Sequence, residues 1–240
     1  MELVLEGLAA PAEPLASTGI AQLDRLLRGL MPGELWVITG APRHGRSMFA
    51  IQVARQAVTA GRTTQVLAGA DPLTYYGALL AAGFIDSPLF DAMNRWPTFT
   101  QDSHVALQLE EMHQLPIELY TRRQLSLVDA LKSWAQEGVL VVDDADLWGD
   151  DVANVADQIK EWCQPQMAAL ITVPHTLIGP ERVDWQQWVR RAAVIIEIVM
   201  GVDDMAGYAS FHVLSNRRGP VTLAEVHGRY SLAQFSDFEE

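Results

Sequence analysis

Residues 36–50 read WVITGAPRHGRSMFA. An apolar run of strand length, a loop bracketed by Gly40 and Gly45, and the opening of a helix follow one another directly. The spacing fits the phosphate cradle Gly-x-x-x-x-Gly-Lys-Ser/Thr, with Arg46 where lysine belongs and Ser47 after it. In such a loop small residues let successive backbone N–H groups converge on phosphate oxygens. The helix N-terminus adds the positive end of its dipole at the same place. Gly40, Pro42, Arg43, His44, Gly45, Arg46 and Ser47 are therefore the candidate cofactor-binding residues, and the Ser47 hydroxyl is a candidate ligand for Mg2+. His44 reads equally as an extra phosphate contact or as a solvent-facing loop residue.

Outward from this loop, STGIAQLDRLLRGLMPGEL (17–35) predicts a helix with Ile20, Leu23, Leu26, Leu27 and Leu30 on one side, closed by a turn at Pro32-Gly33. The helix after the loop is expected from about Arg46 to Ala60, with Gly61 as its stop. Strands are predicted in ELWVITG (34–40), TTQVLAG (63–69), LPIELYT (115–121), GVLVVDDADLW (138–148), MAALITVP (167–174), AAVIIEIVM (192–200) and YASFHVLSN (208–216). Helices are predicted in PLTYYGALLAAGF (72–84), SLVDALKSWAQEG (126–138) with Ser126 as cap, and NVADQIKEWCQ (154–164). Residues 84–115 read as irregular, punctuated by Pro88 and Pro97. Strands alternating with helices imply an α/β fold, a mostly parallel sheet covered by helices on both faces. The clearest strand ends in Asp143, which places a carboxylate at the C-terminal edge of the sheet, where open α/β sheets bind ligands. Asp143 reads alternatively as a loop aspartate capping the next helix. The phosphate loop upstream favours the metal-holding role.

The 240 residues carry a formal net charge of −13, with 49% hydrophobic and 20% charged residues. That is the composition of a globular domain, and its acidity argues against nonspecific nucleic-acid binding by the surface as a whole. The pairs Arg122-Arg123, Arg190-Arg191 and Arg217-Arg218 read as solvated faces or ion pairs before they read as DNA contacts. No apolar run is long enough to cross a bilayer, since AAVIIEIVMGV is short and contains Glu197. The one cysteine, Cys163, allows no internal disulfide and fits a reducing cytoplasm. Residues 1–16, with their Pro- and Ala-rich stretch, suit an arm or linker ahead of a domain spanning 17–240. The scattered histidines show no metal spacing, and the tryptophans read as packing or interface anchors.

The motifs resemble RecA-like ATPase cores and are most similar to the motor domain of DnaB-type replicative helicases, with RadA-type and KaiC-type proteins as cousins. The likeness runs through STGIAQLDRLLRGLMPGELWVITGAPRHGRS (17–47), LPIELYTRRQLSLVDAL (115–131), LVVDDADL (140–147) and LSNRRGPVTLAEVHGRYSLAQF (214–235). The resemblance implies ATP and Mg2+ as cofactors and a ring or filament of identical subunits with nucleotide between neighbours. Its implied partners are DNA or replication and recombination proteins. Carried over by position, Arg217 falls on the arginine finger and Asp71 on the catalytic glutamate that orients water. Asp143 and Ser47 fall on the metal-holding pair. Four positions depart from the pattern. Arg46 replaces the loop lysine, Asp71 is one methylene shorter than glutamate, Ser215 replaces the lysine of the Lys-x-Arg block, and Val173 stands near the relay glutamine. Loss of one positioned charge or base commonly costs about a hundredfold or more in rate. The expectation is therefore a degenerate nucleotide-binding homologue with weak or absent hydrolysis. An active ATP-dependent DNA helicase or DNA-remodelling ATPase is the alternative.

Overall fold

The computed structural model describes residues 12–86, 88–94, 103–134, 137–201 and 207–238. Its strands are β1 (Leu35–Gly40), β2 (Thr63–Ala68), β3 (Ile117–Thr121), β4 (Gly138–Val142), β5 (Met167–Pro174), β6 (Val194–Met200), β7 (Tyr208–Asn216), β8 (Thr222–Arg229) and β9 (Gln234–Ser236). They form one sheet in the order β3-β2-β4-β5-β1-β6-β7-β8-β9. The first six are mutually parallel, and β6 to β9 continue as an antiparallel meander. The helices are α1 (Ala21–Leu27), α2 (Arg46–Thr59), α3 (Leu73–Ile85), α4 (Leu89–Asn94), α5 (Ser103–His113), α6 (Leu127–Ser133), α7 (Val152–Trp162) and α8 (Trp185–Arg191).

Strand alternation divides the core into two layers. Trp36 and Ile38 of β1 join Ile196 of β6 and Val141 of β4 beneath α1, α2 and α3. Leu35 and Val37 point the other way, with Ile195, Leu140 and Ile171, against Leu127 of α6, Val155 and Ile159 of α7, and Trp188 of α8. A strand buried on both faces reads as an unbroken apolar run, which is why β1, β4, β5 and β6 stand out in the sequence. The predicted α/β architecture, parallel and doubly covered, is the one observed. Residues 84–115, expected to be irregular, contain α4 and α5 among their described positions. Ser126 caps α6 as predicted, its Oγ accepting the Asp129 N–H at 3.1 Å and donating to Asp129 Oδ2 at 2.6 Å.

Two side chains tie the C-terminal meander to the front of the domain. Gln52 of α2 is buried; its Nε2 donates to the carbonyls of Thr18 (2.9 Å) and Phe235 (3.0 Å), and its Oε1 accepts the Phe235 N–H at 2.6 Å. Asp237 accepts the N–H groups of Ala21 (2.6 Å) and Gln22 (2.9 Å), so its carboxylate satisfies the open donors at the start of α1. Leu15 and Ala16, assigned by sequence to the arm, are buried and pair with Leu30. Residues 1–11 of that arm lie outside the described residues. Among the described residues no helix is long and apolar enough to cross a membrane.

Candidate functional site

The phosphate loop leaves β1 at the C-terminal edge of the parallel sheet, between β5 and β6. Its arch depends on left-handed backbone at Arg43 (φ 68°) and Gly45 (φ 84°). Both bracketing glycines are also demanded by space. A Cβ on Gly40 would meet the Ile198 carbonyl oxygen at 2.6 Å, and one on Gly45 would meet Cζ of Phe235 at 2.6 Å. The loop is not collapsed: Pro42, Arg43, Gly45, Arg46 and Ser47 line a cavity of about 380 Å3 together with Asp71, Tyr75, Asp144 and Tyr230. The first backbone bond of α2 runs from the Phe49 N–H to the Gly45 carbonyl at 2.9 Å. The amides of Arg46, Ser47 and Met48 therefore have no acceptor within the helix. His44 is half-buried, its Nδ1 lying 3.2 Å from the Ile198 carbonyl oxygen and 3.4 Å from the Met200 amide at the end of β6.

Asp143 sits at the end of β4 and is 1% exposed. The Tyr76 hydroxyl donates to its Oδ2 at 2.6 Å and the Thr172 hydroxyl to its Oδ1 at 2.6 Å, and Ser47 stands close enough to act on its charge. Burial, then the neighbouring charge of Asp144, raises the Asp143 pKa; the bonds from Thr172, Tyr76 and Ser47 oppose that rise. Both hydroxyls are themselves held. Tyr76 accepts the Gly69 N–H at 2.9 Å and Thr172 accepts the Asp144 N–H at 2.7 Å. Burial, and then the adjacent Asp143 charge, raises the Tyr76 phenol far above its ordinary range. The expected pair Ser47 and Asp143 is thus brought together, inside a ring of hydroxyls that the sequence reading did not include.

Arg46 reaches across the cavity to Asp144, its Nη2 donating to Oδ1 at 3.4 Å. Asp144 stands in left-handed backbone (φ 47°, ψ 62°), and its Oδ2 also accepts the Ala70 N–H at 3.3 Å. The Arg46 Nη1 is buried with no protein partner. Asp71 lies exposed at the rim of the same cavity, beside Tyr75. Tyr230 closes another side and rests its hydroxyl on the Met200 sulfur.

Arg217, the carried-over finger, bonds through Nη2 to the carbonyls of Val189 (3.4 Å) and Arg190 at the end of α8. It is not among the residues lining the phosphate-loop cavity of its own chain. Ser215 lies nearly buried within β7, and Val173 is fully buried in β5, where its side chain packs in the core facing α6 to α8. Of the basic pairs, Arg122 donates to the Leu147 carbonyl at 2.9 Å. Arg191 forks onto Asp157 at 2.6 and 2.8 Å, and Arg218 pairs with buried Glu34 at 2.9 Å. Arg191 and Arg218 are thus ion-paired, as the sequence reading had it, whereas Arg122 bonds a main-chain carbonyl.

An anionic phosphate fits the loop on two observations, the open amides at the start of α2 and the two cations, Arg43 and Arg46, that line the cavity. The Asp143 side of the cavity suits a divalent cation poorly, because Tyr76 and Thr172 each donate to one of its oxygens and the residue is almost fully buried. Among the described residues no group of three or more His, Cys, Asp or Glu side chains is placed to hold a metal ion. Tyr76 and Thr172 escaped the sequence reading, and so did the pairing of Asp144 with Arg46. Their only signals were a tyrosine pair just after Asp71 and a second aspartate directly after Asp143.

Residues 16–70 match the family model of the DnaB-like helicase C-terminal domain. Over 99% of its length the chain superposes on the ATPase domain of G40P, covering 96% of it with a TM-score of 0.80 and 12% identity. It superposes equally on a DnaB-like replicative helicase whose structure was solved with its interactions with primase, covering 67% of that chain (TM-score 0.81, 12% identity). No curated protein matches the chain. The family match covers the phosphate loop and its approaches, and the fold is shared over nearly the whole length. Residues 16–70 are thus similar to the DnaB-like helicase C-terminal domain, and the chain as a whole shares its fold with the ATPase domains of DnaB-like helicases.

Proposed function

We propose that this chain is a nucleotide-binding, self-associating component of a DNA replication or recombination assembly, with slow or absent ATP hydrolysis. In this reading Gly40 to Ser47 hold the phosphates of ATP through main-chain amides, with Arg43 and Arg46 as cations beside them. Subunits assemble in a ring or filament, and Arg217 of each reaches the nucleotide of its neighbour. Replication proteins are the proposed partner class, in keeping with the primase interactions named for the helicase relative.

The observation that carries the reading of weak hydrolysis is the pairing of Arg46 with Asp144 beside a closed Asp143. Transition-state stabilisation requires preorganised charge aimed at the reacting phosphoryl group. Here the loop cation is engaged by an aspartate of the same chain. Asp71, which would have to orient water, has a shorter reach than the glutamate of the family pattern. The second reading, an active DNA-dependent motor, is favoured by Asp71 at the cavity rim and by the contact between Ser47 and Asp143. Binding and turnover of ATP, measured side by side on the full chain with and without DNA, separate the two. Binding with negligible turnover is expected. Steady hydrolysis that disappears in Asp143→Ala establishes the motor instead.

A further inference from the structure

Resting on the nucleotide reading above, we propose that the phosphate loop takes its nucleotide without a divalent cation, because Tyr76 and Thr172 occupy the carboxylate edge that would otherwise receive a metal-bound water. A carboxylate offers about four lone-pair sites. In the usual P-loop arrangement the Ser/Thr hydroxyl and the acidic residue of the neighbouring strand hold the metal between them. In this chain two buried hydroxyls bond Asp143, both at 2.6 Å, the short range of charge-assisted O–H···O bonds, with Ser47 close by.

Neither of those two donors is free to swing aside. Tyr76 is a fully buried residue of α3, its oxygen fixed by the Gly69 amide. Gly69 in turn lies against Asp144, whose Oδ2 would come within 2.5 Å of a Cβ there. Thr172 is fully buried in β5, its oxygen fixed by the Asp144 amide. Opening Asp143 to water therefore means displacing a packed aromatic ring or a central strand.

The positive charge that a metal brings to phosphate is supplied from the chain itself. Arg46 lines the cavity with a guanidinium that stays ionised and can address two oxygens once it turns from Asp144. Arg43 stands exposed on the same loop, and the open amides of α2 add to it. The ligand class that fits is a nucleoside di- or triphosphate in its metal-free form.

Titration calorimetry of the full chain with ATP and with ADP, in excess MgCl2 and in excess EDTA, tests this. The expected dissociation constants agree within about threefold between the two media. In Tyr76→Phe, which deletes only the hydroxyl, binding becomes about tenfold or more tighter with Mg2+ than with EDTA. Thr172→Val, checked for folding alongside it, moves the same way. Wild-type binding seen only with Mg2+, or tightened tenfold by it, overturns this inference and leaves the nucleotide reading standing. An absence of binding in both media overturns both. Metal indifference that persists in both variants overturns the role assigned to the two hydroxyls.

Discussion

Replacing Asp144 by Asn tests whether the loop cation is held back by its own chain. The substitution keeps the shape and suits the backbone, since Asn is among the residues that tolerate left-handed φ. It removes one charge 3.4 Å from Arg46 Nη2. At an effective dielectric near 20 the gross attraction over that distance is roughly 5 kcal/mol. Both side chains keep some solvent contact, 13% and 19% exposed, so hydration of the separated ions cancels most of it. A net release of about 1–2 kcal/mol is expected when Arg46 becomes free to turn toward phosphate, equivalent to ~5- to 30-fold tighter ATP binding. Calorimetric titration of wild type and Asp144→Asn at low and moderate salt reads the change. Asp146→Asn, which removes a nearby acidic charge that does not bond Arg46, serves as the control and is expected to give less than half the effect. Unchanged or weaker binding in folded Asp144→Asn would falsify the idea that this pair restrains Arg46.

Gly45→Ala forces a side chain into left-handed backbone and against the Phe235 ring, and is expected to lower unfolding free energy by about 1–3 kcal/mol in urea titrations. An unaltered midpoint means that the loop can be rebuilt without its arch. Gln52→Leu strands the buried Thr18 and Phe235 groups that it bonds, and a loss of about 2–4 kcal/mol is expected from the same measurement. Burial pushes the Cys163 thiol up to about 12 from 9.0. The unfolded chain thus releases this proton near pH 9 while the folded chain retains it. Stability owed to this group is complete below pH 9 and falls by up to about 1.4 kcal/mol per pH unit above it. Cys163→Ala should flatten that alkaline limb relative to wild type in melting curves between pH 8 and about 11. Equal slopes count against a proton retained at Cys163.

The sheet was legible because β1, β4, β5 and β6 are covered on both sides and so carry no polar alternation to blur them. The helices α4 and α5 were not. They belong to an outer layer where Ala92, Val105 and Leu109 form only a thin apolar contact, and Pro88 interrupts the pattern. The loop residues of the site were readable from spacing alone, since their geometry is local. Tyr76 and Thr172 were hidden because they lie 67 and 29 residues from Asp143. Only the adjacency of β2, β4 and β5 brings them to the same carboxylate, and no local pattern encodes strand order.

The clamp formed by Asp237 on α1 has a consequence for how the domain is made. A ribosome that has released residue 200 has already extruded all six parallel strands, yet the amides of Ala21 and Gln22 still have only water to bond. Residues 234–237 then arrive as a clasp, joining Gln52 and the start of α1 in a single step. The bonds that Gln52 and the start of α1 make to this segment therefore wait until residues 234–237 are made, after every strand of the parallel sheet.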